Sequence, residues 1–333
     1  MNAHIHYEEE HALLRAEARR WLDERFPIAR VRSLADSDSG EDPADWKELA
    51  NLGWLGLVIP EKHGGAGLGA VHLAVLMEET GRRLVPSPLL PQTLAALALV
   101  LDGSDAQRDR WLPAIASGEA RVVYARGASV SGAERADAFV VPVRDGVEVV
   151  ERGGAAKLAV APELVLDRTR RSARVTRNGV ALGAAEPSAR LTAWACLALA
   201  AEMAGGADAL LAMTAAYATT REQFGKPIGS FQAVKHPLVN VLIGVEGLRS
   251  LVYAAASALD AQSPDAETLA RMAKAQASDV YPFAASRAVQ LHGGFGFTLD
   301  CDAHLYLKRA QTTRPAFGDA LAQRAWLAER LPG

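Results

Sequence analysis

Two short stretches combine residue types that can hold a ligand. The first, Arg221 to Gln232, reads Arg-Glu-Gln-Phe-Gly-Lys-Pro-Ile-Gly-Ser-Phe-Gln and sets charged and amide groups around Phe224 and Phe231. A guanidinium gives planar, charge-assisted donation to phosphate oxygens that an ammonium cannot copy. In the second, Gln290-Leu-His-Gly-Gly-Phe-Gly-Phe, consecutive glycines at 293 and 294 let a ligand approach main-chain N–H groups, and Gln290 can both donate and accept. Each has a plainer reading: a loop broken by Gly225, Pro227 and Gly229, and a helix C-cap. A bare helix connection needs only about 2–8 small polar residues, however. Two carboxylates enter as candidates. Asp319 reads as the N-cap of a helix over 320–331, and Glu202 reads as paired with a cation or facing solvent. His63, His236 and His292 have no metal-ligand spacing, so no metal is expected. The glycines at 64, 65 and 67 lack a phosphate-loop pattern and read as a tight turn.

The elements that must position these stretches are mostly helices. Apolar residues recur at helical spacing over 6–26, 70–84, 91–102 and 105–117, and Asp42-Pro43 opens a short helix carrying Trp46 and Leu49. Between them, 35–42 reads as a polar, mobile loop. From Arg121 to about Leu182 long periodic segments give way to short Val-rich runs, including 122–124, 138–143, 147–150, 157–160 and 164–166, with turns at Asp145-Gly146 and Asn178-Gly179. Helical periodicity then returns over 189–219, 231–260, 266–291 and 303–313, which predicts a C-terminal four-helix bundle. The expected class is α+β, mostly α, with helical residues 1–120, a small β domain at 121–187 and the bundle at 188–333. Gly205-Gly206 falls inside the first bundle helix, at a cost of about 1 kcal/mol per glycine unless close packing requires it.

Composition excludes several roles. The 333 residues carry a net charge of −3 with both signs interspersed, which argues against a nucleic-acid surface. Only Cys196 and Cys301 are present, without framework spacing, and a reduced, cytoplasmic setting is expected. The run from Leu191 to Ala201 stops well short of the ~20 residues needed to cross a bilayer, so no membrane role is expected.

The stretches at 221–232 and 290–297, together with Leu52-Gly-Trp-Leu-Gly-Leu57, resemble the acyl-CoA dehydrogenases, flavoenzymes that desaturate acyl thioesters. The resemblance implies that family's fold, with an N-terminal helical domain, a middle β domain and a C-terminal four-helix bundle. In the family both loops serve the FAD bound by a neighbouring subunit. It therefore implies that Arg221 and Phe224 lie at the flavin nucleotide, and Gln290, Gly293 and Gly294 at its adenosine and pyrophosphate part. It also exposes departures. Phe317 stands where most members carry the catalytic Glu, and Ala195 stands at the position a minority use. The flavin-ring loop is reduced to Tyr124–Gly132. Elements lent to a neighbour are thus kept while those used on a subunit's own flavin are missing. The resemblance implies the non-catalytic subunit of a heteromeric, α2β2-type acyl-CoA dehydrogenase acting on a bulky, steroid-type acyl-CoA, with a full-length homologous partner and an electron-transfer acceptor. Two alternatives stay open: a self-sufficient homo-oligomeric enzyme using Asp319 as base or a chemistry needing none, and a flavin-free binding or scaffold protein.

Overall fold

The computed structural model describes residues 7–155, 157–183 and 185–330. In chain order these form α1 (Glu9–Arg25), α2 (Ile28–Asp36), α3 (Pro43–Asn51), α4 (Ala70–Arg82), α5 (Leu89–Asp102) and α6 (Asp105–Ala116). Seven strands follow: β1 (Val122–Tyr124), β2 (Ser129–Ser131), β3 (Ala138–Val143), β4 (Gly146–Glu151), β5 (Leu158–Pro162), β6 (Ser172–Arg177) and β7 (Val180–Ala181). The chain closes with α7 (Ala189–Thr220), a hairpin of β8 (Glu222–Gln223) and β9 (Lys226–Pro227), α8 (Gln232–Asp260), α9 (Ala266–Leu291), α10 (Ala303–Thr313) and α11 (Ala320–Ala328). They gather into two compact units, one from the described parts of 1–31, 74–85 and 196–333, the other from 32–73 and 86–195.

In the second unit β1 pairs parallel to β3 and β3 antiparallel to β4, while β2, β6 and β5 form a second antiparallel sheet with β7 beside β6. Val123, Phe139, Val141 and Val150 from one sheet share a core with Val130, Ala173 and Val175 from the other. β6 is the strand that composition hides. Ser-Ala-Arg-Val-Thr-Arg looks polar, yet Ala173 and Val175 alternate inward, and period-two alternation is what a half-buried strand requires. The opposite correction applies to Leu164–Leu166: expected as a strand, it is a loop, with Leu164 fully exposed. The run at 35–42 is a further correction. α2 takes up its first residues, and the remainder is tied down rather than loose. Arg171 donates to the carbonyls of Ser37 and Asp38, Arg168 pairs with Asp36 at 2.9 Å, and Arg121 and Arg135 both pair with Glu41. As expected, Asp42 caps α3, its carboxylate accepting from the Ala44 N–H at 2.9 Å. Trp46 of α3 donates its indole N–H to the Gly118 carbonyl at 3.0 Å.

In the first unit the mid-helix glycines find their reason. A Cβ at Gly205 would lie 1.8 Å from the Glu78 carbonyl oxygen, and one at Gly81 would lie 2.0 Å from that of Glu202. α4 and α7 thus cross backbone on backbone, and any side chain there would force them apart. α7 and α8 are both long and apolar enough to span a bilayer by length and composition, but 72% of the apolar stretch of α7 is buried in the protein against 33% for α8. α7 is a core helix. α8 buries Val241, Val245, Leu248 and Val252 and leaves Val239, Leu242 and Ile243 outside. On α9, Leu269, Ala273 and Val280 face inward, whereas Phe283 is exposed.

Candidate flavin-facing site

α7 ends where the Arg221 N–H donates to the Tyr217 carbonyl at 2.8 Å, and the chain turns into the β8–β9 hairpin, closed at its base by Ile228 N–H donating to Arg221 carbonyl at 2.8 Å. The two-residue tip is Phe224-Gly225, both left-handed at φ +55° and +76°. That backbone is the hairpin turn favoured by Asn-Gly and costs a β-carbon-bearing aromatic about 1–2 kcal/mol. Phe224 is 92% exposed, so burial in this chain does not offset the strain. Its ring meets Phe231 edge-on at 6.0 Å, and the Lys226 ammonium lies 4.5 Å from the Phe231 ring centre. Arg221 is exposed, and no ion pair holds its guanidinium among the described residues.

The second stretch reaches the same end of the bundle. α9 stops at Leu291, His292 closes it, and Gly293 takes φ +62° to start a tight 3₁₀ turn over Gly293–Phe297. No atom lies within 4 Å of where a Cβ would stand at Gly293 or Gly294, so their main chain is open to a ligand. Gln290 is exposed on the last turn of α9, and Phe297 is 80% exposed. The two stretches meet through Tyr217 of α7, whose ring stacks on His292 at 4.3 Å. One end of the bundle therefore offers a free guanidinium, open space beside the Gly293-Gly294 main chain, an exposed amide and exposed aromatic rings. This donor set fits a ligand with a phosphate bridge and flat ring systems, as FAD has.

At the two positions where the resemblance implies a base, the side chains are Ala195 and Phe317. Ala195 is fully buried in α7. Phe317 is half-buried in the turn between α10 and α11, left-handed at φ +53° and followed by Gly318 at +90°. Asp319 caps α11, accepting from the Leu321 and Ala322 N–H groups at 3.1 Å each. Those bonds, the Ala322 one foremost, hold its carboxyl below the usual range. Glu202 is buried and paired with Arg309 of α10 at 3.1 Å, which selects the paired reading over solvent.

Two groups escaped the sequence reading. Lys274 is fully buried, its ammonium donating to Ser278 Oγ at 2.8 Å and to the Arg314 and Gly318 carbonyls at 2.9 Å. Burial pulls it down to about 8, against the opposing pull of Cys196 and Asp319. Its position one residue off the Ala270, Ala273, Ala277 stripe was the available signal. Glu78 of α4 is likewise buried, bonded by Arg15 and Arg249 and by the Tyr253 hydroxyl, each at 2.8 Å. Burial raises its carboxyl, but Arg15 and then Arg249 outweigh that and hold it below the ordinary value. Adjacent Glu79 takes bonds from Arg15, Arg19 and Arg82.

Comparison with known proteins agrees with this architecture. The family model for the acyl-CoA dehydrogenase N-terminal domain matches residues 8–119, and that for the C-terminal domain matches 189–331. The acyl-CoA dehydrogenase IpdE2 of Mycobacterium tuberculosis is 36% identical over 310 residues, 91% of each chain. Another M. tuberculosis acyl-CoA dehydrogenase, FadE34, is 35% identical over 90% of this chain but only 44% of its own length. Among solved structures, a variant of the Tcur3481-Tcur3483 steroid ACAD superposes with a TM-score of 0.87 at 31% identity, covering 96% of this chain and 97% of that one. The ChsE4-ChsE5 complex from M. tuberculosis gives 0.87 at 27% identity, covering 99% and 100%. With the fold, both family domains and a relative of this identity in agreement, the chain belongs to the acyl-CoA dehydrogenase family.

Proposed function

We propose that this chain is the subunit of a heteromeric acyl-CoA dehydrogenase that completes the FAD site of a homologous partner, and that the partner supplies the catalytic Glu. The observation that carries the reading is the hairpin. A strained, exposed Phe224 beside a free Arg221 is costly in the lone chain and becomes intelligible if another subunit's ligand covers it. When bound, FAD supplies the hydride acceptor. This chain's part is to hold the cofactor: Arg221 on phosphate oxygens, the Gly293-Gly294 main chain and Gln290 on the adenosine and pyrophosphate part, and Phe224 against the nucleotide.

The apolar positions on the outer face of α8, Val239, Leu242 and Ile243, give a partner subunit something to bury. The similar solved structures named as two-component assemblies support the same reading, as does FadE34, more than half of which lies outside its match to this chain. By the same likeness we propose a bulky, steroid-type acyl-CoA as substrate, an electron-transfer acceptor and a cytoplasmic location. The cap bonds of Asp319 favour this over a self-sufficient enzyme with Asp319 as base.

The test is anaerobic flavin bleaching by an acyl-CoA in the assembled complex. Removing the partner's Glu is expected to abolish bleaching with flavin still bound, and Asp319→Asn here to leave bleaching intact. Bleaching that survives loss of the partner's Glu and disappears with Asp319→Asn would make this chain the catalytic one.

A further inference from the structure

We infer that Tyr217 and His292 are positioning residues that lock the β8–β9 hairpin and the Gly293–Phe297 turn into one ligand-facing surface. The inference rests on the flavin reading above. The Tyr217 ring lies 4.3 Å from the His292 imidazole at 26° and 6.3 Å from Phe295 at 21°. His292 is buried and cannot itself be offered to a ligand; its Nδ1–H donates to the Ala288 carbonyl at 2.8 Å, so α9 fixes the direction of the ring. The residue whose ring stacks on that imidazole also holds the hairpin, because the Tyr217 carbonyl accepts the Arg221 N–H at 2.8 Å. The second motif has no slack of its own. A Cβ at Gly296 would sit 2.2 Å from the Val289 carbonyl oxygen, so the 3₁₀ turn is pressed onto the end of α9. Shifting either motif alone therefore has to break the stack, and separately mobile motifs would have to be ordered on each binding event.

The experiment has two arms. In the assembled complex, Tyr217→Leu keeps apolar volume and removes the stack, and FAD release is expected to quicken about two- to ten-fold, the range of a single aromatic pair. Tyr217→Phe keeps the ring, losing only the long 3.5 Å bond from its hydroxyl to the His292 carbonyl, and should release close to the wild-type rate. In the lone chain without flavin, hydrogen exchange is followed at the Arg221 and Ile228 amides. Tyr217→Leu and His292→Ala should both exchange faster there, and Tyr217→Phe should not. Unchanged exchange at Arg221 and Ile228 in both variants would overturn the coupling. Arg221→Ala in the release assay separates the two ideas. If it speeds release while Tyr217→Leu does not, the inference fails and the flavin reading stands. If exchange rises as expected and none of the variants alters FAD release, the coupling stands and the flavin reading falls.

Discussion

Phe224 is the residue at which stability and the proposed function pull apart. Its left-handed backbone suits asparagine, and Phe224→Asn would create the Asn-Gly pair that this turn prefers. The expected outcome is a lone chain about 1 kcal/mol more stable to denaturant whose complex nevertheless retains FAD less well. Gain on both counts would show that the phenylalanine serves no ligand. Arg221→Ala makes the complementary prediction. Removing a charge-assisted contact worth about 1.5–3 kcal/mol should weaken FAD retention in the complex and leave the thermal midpoint of the lone chain unmoved, because the side chain is exposed. The sequence displayed the chemistry of these residues, since Arg, Gln and Phe are more than a plain turn requires. It did not display the strain. A φ value belongs to the hairpin that closes at Ile228, and nothing in the letters Phe-Gly announces it.

At the scale of elements, helices with strong apolar periodicity were legible nearly to their ends, as α10 at Ala303–Thr313 shows. The short strands were not. β6 is written in polar letters, and Leu164–Leu166 in apolar ones, because pairing partners rather than composition decide which run enters a sheet. Buried charges were missed for a related reason, their partners being distant in sequence. Lys274 holds the α10–α11 turn, and its depressed value has a definite sign. In the native chain the ammonium loses its proton near pH 8, while in the unfolded chain it keeps it until about the ordinary 10.5. The unfolded state therefore binds more protons between those values, and this group adds stability as pH rises through that window, at up to about 1.4 kcal/mol per pH unit. Urea midpoints of wild type minus Lys274→Met, measured from pH 7.5 to 10, should climb with that sign; a flat difference would contradict it. Glu78 acts in the opposite limb. Its carboxyl lies below the ordinary 4.5, so its contribution is full above that value and is lost as pH falls through the native one. Glu78→Gln should cost about 1.5–3 kcal/mol at neutral pH, the range of hydrogen bonds to a charged group, because Arg15 keeps Glu79 and Arg249 keeps Glu246 and Asp208, and should flatten the acid side of the stability curve. Denaturation of the two proteins at pH 7 and pH 3.5 checks both.

For the whole molecule, the family was written in two motifs and a turn, and both the family domains and the fold agree with it. On the function proposed above, what the chain leaves outward, the α8 face at Val239, Leu242 and Ile243 and the hairpin end of the bundle, is covered in a larger assembly. Leu242→Glu is accordingly expected to impair assembly with the partner while the lone chain stays folded, read by size-exclusion chromatography and circular dichroism. The cofactor contacts of this chain are proposed to serve a neighbour's flavin. The most direct measurement is FAD per chain in the protein expressed alone and co-expressed with its partner. A colourless or weakly flavinylated lone chain and a yellow complex holding fewer FAD than chains are expected. One FAD per chain on the lone protein would contradict that proposal.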